Sequence, residues 1–128
     1  PSNSSAASDV YKRQLSNRIE YLSTTASNHK MIHVIDYLNA HLTDDITIDF
    51  LAEQFYLSRY HLMHAFKEET GYTIGNYLTT KRLLLARDQI AQGESITTAC
   101  YACGFHNYST FSRAYRKHFG CSPREQRN

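Results

Sequence analysis

The chain has 128 residues, of which 41% are hydrophobic and 20% charged, with a net charge of +2. This balance is typical of a folded domain of ordinary size and excludes a chain that is disordered by composition. No apolar run approaches the roughly 18 residues of a membrane span, so we expect no membrane partner. The cysteine count is odd and the polar N-terminus does not resemble a signal peptide, so we expect reduced thiols in the cytoplasm.

The first 30 residues differ in composition from the remainder. Residues 1–14 are mostly small and polar, and positions 9–14 look like a translated sequencing adaptor, so we expect an adaptor-derived or disordered tail. Leu15, Ile19 and Leu22 recur at helical spacing, which predicts a short helix, and the polar run at 23–28 predicts a linker. We expect residues 15–30 to be the end of a lost upstream domain, and the chain to be a truncated protein.

Residues 31–128 have no alternating strand pattern, so we predict an all-α domain of seven helices. The first helix follows Met31 and is expected to bury Ile32, Ile35, Leu38 and Leu42. The other six helices are each expected to begin after a Ser, Thr or Asn side chain that caps the backbone, namely Thr47, Ser58, Thr73, Ser95, Asn107 and Ser122. Glycines at 71, 93 and 120 are expected to end three of them.

An internal repeat is the strongest pattern in the sequence. A shift of 48 residues aligns Leu51, Ala52 and Phe55 with Ala99, Cys100 and Cys103, and a shift of 49 aligns Ser58, Leu62, Phe66 and Gly71 with Asn107, Phe111, Tyr115 and Gly120. Each copy is a short helix, a tight turn and a longer helix, which is typical of a helix-turn-helix unit. The fourth helix joins the two copies and spans about 27 Å at 1.5 Å per residue.

The second copy resembles the signature of AraC/XylS-type transcription regulators. The matching segments are Gly-Phe at 104–105, Asn107, Ser-Thr-Phe-Ser-Arg-Ala-Tyr-Arg-Lys at 109–117 and Phe-Gly-Cys-Ser-Pro at 119–123. Segments at 51–53, 57–58, 66–71 and 77–78 resemble the first helix-turn-helix of the same family. The resemblance covers residues 31–127 and implies a double helix-turn-helix domain of a bacterial DNA-binding regulator, often an activator. Two positions depart from the family, Tyr56 in place of a turn glycine and Gln126 in place of an aromatic residue.

The longer helices, near 58–70 and 107–119, each present a polar face once the apolar positions are assigned to the core. The resemblance implies base contacts on these faces from Tyr60, Met63, His64, Tyr108, Ser109, Thr110 and Arg113. Arg113 is the foremost candidate because a guanidinium can donate two hydrogen bonds to guanine, and a surface ion pair is its alternative role. Met63 is also typical of a core residue that fills a gap, and His64 of a solvated surface.

Charge is unevenly distributed along the chain. Residues 31–58 contain five acids and no Lys or Arg, whereas residues 100–128 contain five bases and one acid. This pattern favours a basic face that suits a polyanion, although an ordinary solvated surface has the same composition. Five basic residues are expected to contact DNA phosphates: Arg59, Lys67, Arg116, Lys117 and Arg124.

A Cys-x-x-Cys motif at Cys100 and Cys103 suggests a rival metal or redox function. A structural zinc needs four ligands, and Cys121, His106 and His118 are available to complete the set. Buried apolar positions explain the motif more simply, because the first copy has Ala and Phe there. No catalytic motif occurs, so we expect neither an enzyme nor a cofactor or metal, and a helical protein-interaction domain is the remaining alternative.

The resemblance also implies partners and a location. We expect double-stranded promoter DNA and RNA polymerase as partners, in the cytoplasm and in association with the nucleoid. A small-molecule effector is expected to act only through the missing upstream domain.

Overall fold

The computed structural model describes residues 18–127, and side chains within residues 29–126. The helices are α1 (Arg18–Ala40), α2 (Ile48–Gln54), α3 (Arg59–Thr70), α4 (Ile74–Ala91), α5 (Ile96–Ala102), α6 (Tyr108–Phe119) and α7 (Pro123–Arg127). No strand occurs within 18–127, so the predicted seven-helix, all-α class is confirmed. None of these helices is both long and apolar enough to cross a bilayer. The expected tail at 1–14 and the start of the short helix at Leu15 lie outside the described residues.

Helix α1 differs from the prediction in both length and register. It continues through 23–28, where the sequence predicted a linker. Its buried face consists of Met31, Val34 and Leu38, whereas Ile32 is 51% exposed. Apolar residues stand in adjacent pairs here, so two overlapping stripes lie about 100° apart on the helix. Packing against α3 buries one of these stripes, and the periodicity alone did not distinguish them.

The beginnings of α2 to α7 agree with the predicted caps. In α2 to α6 the capping side chain accepts a hydrogen bond from the backbone N–H three residues ahead, at Thr47, Ser58, Thr73, Ser95 and Asn107. At α7, the Glu125 N–H donates to Ser122 Oγ and the Ser122 N–H donates to Glu125 Oε1, which is a capping box. Each cap contributes about 1 kcal/mol, so local sequence determines where these helices begin.

The core consists of two separate apolar clusters. The first comprises residues of α1, α2, α3 and the start of α4, including Leu38, Leu51, Leu62, Phe66 and Leu78. The second comprises residues of α4, α5 and α6, including Leu83, Ala86, Cys100, Phe111 and Tyr115. The 18-residue helix α4 contributes to both clusters. It therefore joins a first unit, α2 and α3, to a second unit, α5 and α6.

The turns of the two units differ at one backbone position. Tyr56 has a φ of 58° and its counterpart Gly104 has a φ of 107°. A left-handed backbone costs a residue with a Cβ about 1 kcal/mol. Because the Tyr56 side chain is 89% exposed, little packing offsets this strain. The departure from the family at this position therefore stores strain in the first turn.

Replacing Tyr56 with glycine should raise the free energy of unfolding. The gain from the relaxed backbone is about 1 kcal/mol, reduced by the larger entropy of glycine in the unfolded chain. Urea unfolding measures the change. Tyr56→Ala is the control, because alanine keeps the Cβ and hence the strain, and equal stabilities of the two variants would contradict the explanation.

Candidate nucleic-acid interface

The two units have the same local architecture. Helices α2 and α5 have seven residues each, and α3 and α6 have twelve. Both turns close with an equivalent hydrogen bond, from the Leu57 N–H to the Ala52 carbonyl and from the Phe105 N–H to the Cys100 carbonyl. Left-handed glycines, Gly71 and Gly120, end both longer helices. The duplication predicted from the sequence is therefore present in three dimensions.

The outer face of α3 carries three of the predicted base-contacting residues. Tyr60 is 75% exposed and Met63 45% exposed, and His64 is also exposed. The rings of Tyr60 and His64 stack with their centroids 5.4 Å apart and their planes 15° from parallel, as the i, i+4 spacing allows. Met63 lies outside the core, so it does not fill a gap there. The face combines hydrogen-bonding groups with an exposed thioether.

The outer face of α6 carries Ser109, Thr110 and Arg113, all of them exposed. Within residues 29–126, Arg113 has no ion-pair or hydrogen-bond partner, so the alternative of a surface ion pair finds no support there. Tyr108 differs from the expectation of a fully outward side chain. Its ring is half-buried against the second cluster, with its centroid 6.0 Å from that of Phe111. The first turn of α6 places this ring at the edge of the face.

The five residues predicted to contact phosphates are all exposed, but two of them already have partners. Arg59 pairs with Asp49 at 2.5 Å and Arg116 with Glu125 at 3.1 Å. Exposed ion pairs contribute at most about 1 kcal/mol, so a phosphate can replace the carboxylate. Lys67, Lys117 and Arg124 complete the set. Asp49 was not identified from the sequence, because its ten-residue separation from Arg59 has no local signature.

Glu125 has a second role beside its ion pair. Hydrogen bonds from Ser122 and the nearby Arg116 hold the pKa of the Glu125 carboxyl below its usual range. The carboxylate is therefore charged at neutral pH. In that state it caps α7 through Ser122 and also pairs with Arg116 of α6.

The two units differ in charge. Residues 95–122 contain three bases and no acid, whereas residues 47–73 contain two bases and four acids. A polyanion is therefore attracted mainly to the second unit.

The cysteine motif belongs to the core. Cys100 and Cys103 are fully buried in the second cluster. Burial raises the pKa of the Cys103 thiol to about 11 and also raises that of Cys100. Within residues 18–127, no group of three or more His, Cys, Asp or Glu side chains is placed to hold a metal ion, and His106 pairs with Asp45 instead. The geometry therefore does not support the metal alternative.

Thiol alkylation should distinguish the three cysteines. In the folded protein at pH 8 we expect iodoacetamide to modify only Cys121, which is half-buried, because alkylation requires an accessible thiolate. All three thiols should react in urea, as measured by mass spectrometry. The Cys121→Ser variant should remain unmodified when folded, and rapid modification of this variant would contradict the buried placement of the motif.

Gln126 stabilises the final helix differently from the aromatic residue usual in the family. Its side-chain oxygen accepts a hydrogen bond from the hydroxyl of the buried Tyr115. Arg87 of α4 lies over the ring of Phe119, with its guanidinium carbon 4.6 Å from the ring centroid. The hydrogen bond from Tyr115 therefore links α7 to α6, and the Arg87 contact packs α6 against α4.

Comparisons with known proteins agree with this architecture. A family model described as a helix-turn-helix domain matches residues 51–128. The HTH-type transcriptional activator RhaS of Escherichia coli O139:H28 (strain E24377A / ETEC) is 37% identical over 109 residues, which are 84% of this chain and 38% of RhaS. The chain thus spans well under half the length of this relative.

Solved structures share the same fold. An AraC-type transcriptional regulator from Chromobacterium violaceum has a TM-score of 0.71 and 32% identity, covering 80% of this chain and 93% of its own. The DNA-binding domain of AdpA, solved in complex with a target DNA, has a TM-score of 0.71 and 26% identity, covering 76% and 88%. The chain therefore belongs to the AraC/XylS-type helix-turn-helix family and carries its double helix-turn-helix domain.

Proposed function

We propose that this chain is a sequence-specific DNA-binding module of a transcription regulator, in which α3 and α6 enter two neighbouring segments of the major groove. One observation carries the proposal: two equivalent helix-turn-helix units, joined by the 18-residue α4, each leave the outer face of their second helix exposed. The AdpA domain, solved with a target DNA, supports it. We call α3 and α6 the recognition helices.

The proposal assigns a role to each face. Tyr60, Met63 and His64 contact bases in one segment, and the set Tyr108, Ser109, Thr110 and Arg113 contacts bases in the other. Helix α4 spans about 27 Å, which is comparable with the roughly 34 Å of one helical turn of DNA. The exposed cations beside these faces bind phosphates and supply affinity that does not depend on sequence.

We propose that residues 31–128 form the DNA-binding domain, that its site lies in promoter DNA on the bacterial nucleoid, and that RNA polymerase is a further partner. RhaS, a transcriptional activator, supports activation as the outcome.

Selection from a random duplex library, followed by affinity measurements across a salt series, tests the proposal. We expect the selected duplexes to share two segments roughly one turn apart. The logarithm of the association constant should fall with the logarithm of salt with a slope of about −4.5 if five cations each release one counterion. A protein-interaction domain would bind no duplex at low salt, and that result would refute the proposal.

A further inference from the structure

Arg82, in the middle of α4, holds the loop between α1 and α2. Its Nε donates to the carbonyl oxygen of Leu42 at 2.7 Å, and a terminal nitrogen donates to the carbonyl oxygen of Asp44 at 2.8 Å. The planar guanidinium can make both bonds at once. These carbonyls lie in the loop that follows α1, which ends at Ala40. Arg82 therefore fixes the segment that leads into the first unit.

The turn of the second unit meets the same loop. A Cβ at Gly104 would lie 3.0 Å from the Arg82 Nε and 3.2 Å from the Cα of Thr43. Two residues further on, His106 Nε2 lies 2.5 Å from a carboxylate oxygen of Asp45. We call these residues, together with Leu42 and Asp44, the inter-unit junction.

The Leu42 side chain packs against the first apolar cluster, whereas the other residues of the junction belong to neither cluster. The helices of each unit pack on one another, on α4 or on the flanking helices α1 and α7. The angle between the units therefore depends on α4, which both units share, and on contacts that bridge them. The loop runs directly into Thr47, which caps α2, and the turn runs into Asn107, which caps α6. The junction therefore joins the start of the first unit to the turn of the second unit that precedes α6, and Arg82 touches both sides of it.

We propose that Arg82 is a positioning residue that fixes the separation and angle of the recognition helices, and thereby the spacing of the two DNA segments that one chain can bind. This inference rests on the proposed function. Two linked binding modules gain affinity only when their geometry allows both to engage at once. Loss of the Arg82 contacts should therefore weaken binding to the two-segment site, and should make affinity less sensitive to spacing.

The variants Arg82→Gln and Arg82→Lys test this proposal, with Lys81→Gln as the matched control. Lys81 is the neighbouring cation on α4. Its ammonium lies 5.8 Å from the Tyr77 ring centroid, and within residues 29–126 it makes no hydrogen bond to the loop. Fluorescence anisotropy gives the affinity for three kinds of duplex. They are the selected site, sites with one base pair added or removed between the segments, and a site with one segment scrambled.

We expect Arg82→Gln to bind the selected site about tenfold more weakly. The loss of affinity that a changed spacing causes should be smaller in this variant than in the parent. Its affinity for the duplex with one segment scrambled, the single-segment site, should equal that of the parent. Arg82→Lys keeps the charge but loses the planar fork, so it should behave as Arg82→Gln does, while Lys81→Gln should show the parent's spacing penalty. An unchanged spacing penalty in both Arg82 variants, or an equal loss on the single-segment site, would overturn the proposal.

A measurement without DNA separates this proposal from the proposed function. Spin labels on Glu68→Cys and Lys117→Cys, which are equivalent exposed positions of α3 and α6, report the distance between the helices in a Cys121→Ser background. We expect one narrow distance in the parent and in Lys81→Gln, and a broader distribution in both Arg82 variants. Narrow distributions in those variants would overturn the proposal, whereas a parent that binds no duplex would contradict the proposed function alone.

Discussion

Replacing Arg113 with alanine should weaken binding to the selected duplex by about 1–3 kcal/mol, or roughly five- to 150-fold. The side chain is exposed on α6 and has no partner within residues 29–126, so it can turn its whole guanidinium toward a base. Two parallel hydrogen bonds to guanine are lost with the substitution. The preference for one base pair should therefore relax, and selection repeated with Arg113→Ala should show a degenerate position in the second segment.

Arg124→Ala is the control for this experiment. It removes the same charge from an exposed position at the start of α7, where we expect a phosphate contact. Affinity should fall by a similar factor on every sequence, and the magnitude of the salt slope should decrease by about one. If Arg113→Ala instead weakened all duplexes equally and left the selected sequence unchanged, Arg113 would bind a phosphate and not a base.

Replacing Gly104 with alanine should lower the free energy of unfolding by about 2–4 kcal/mol. About 1 kcal/mol comes from the left-handed backbone, and the remaining 1–3 kcal/mol, roughly, from crowding. The new Cβ would lie 3.2 Å from both the Cα and the carbonyl oxygen of Thr43. Its third neighbour, Arg82, is itself bonded to the loop and cannot move without breaking those bonds. Urea unfolding measures the loss.

Gly120→Ala separates the two contributions. Gly120 also has a left-handed backbone, with a φ of 81°, but a Cβ there would meet nothing within 4 Å. Its substitution should therefore cost only the backbone strain, about 1 kcal/mol. Equal losses for the two variants would show that the close approach at Gly104 relaxes freely, which would contradict the tight contact between the turn and the loop.

The repeated units were predictable from sequence because their signals are local. A cap such as Ser58 or Asn107 and a glycine such as Gly71 or Gly120 act on backbone within a few residues. The burial of Cys100 followed from its alignment with Ala52. The exposed faces of α3 and α6 were then predicted as the positions left over once the apolar residues were assigned to the core. This step depends only on helical periodicity.

The remaining features depend on contacts between distant segments. The register of α1 was predicted wrongly at Ile32, because two apolar stripes compete there and packing on α3 decides between them. The half-buried ring of Tyr108 and the pairing of Arg59 with Asp49 depend on how elements meet. Arg82 and its acceptors are about 40 residues apart, and no periodicity links such positions.

The separation of the two apolar clusters has a consequence for how the molecule opens. Each cluster is closed by its own helices, so backbone amides in α2 and α3 can lose protection while those in α5 and α6 retain theirs. Helix α4 contributes to both clusters. We therefore expect the amides of its central turns to lose protection only when both clusters unfold. We therefore expect the two clusters to unfold as partly independent units that share α4 and are linked by the inter-unit junction, which hydrogen exchange of the backbone amides would measure.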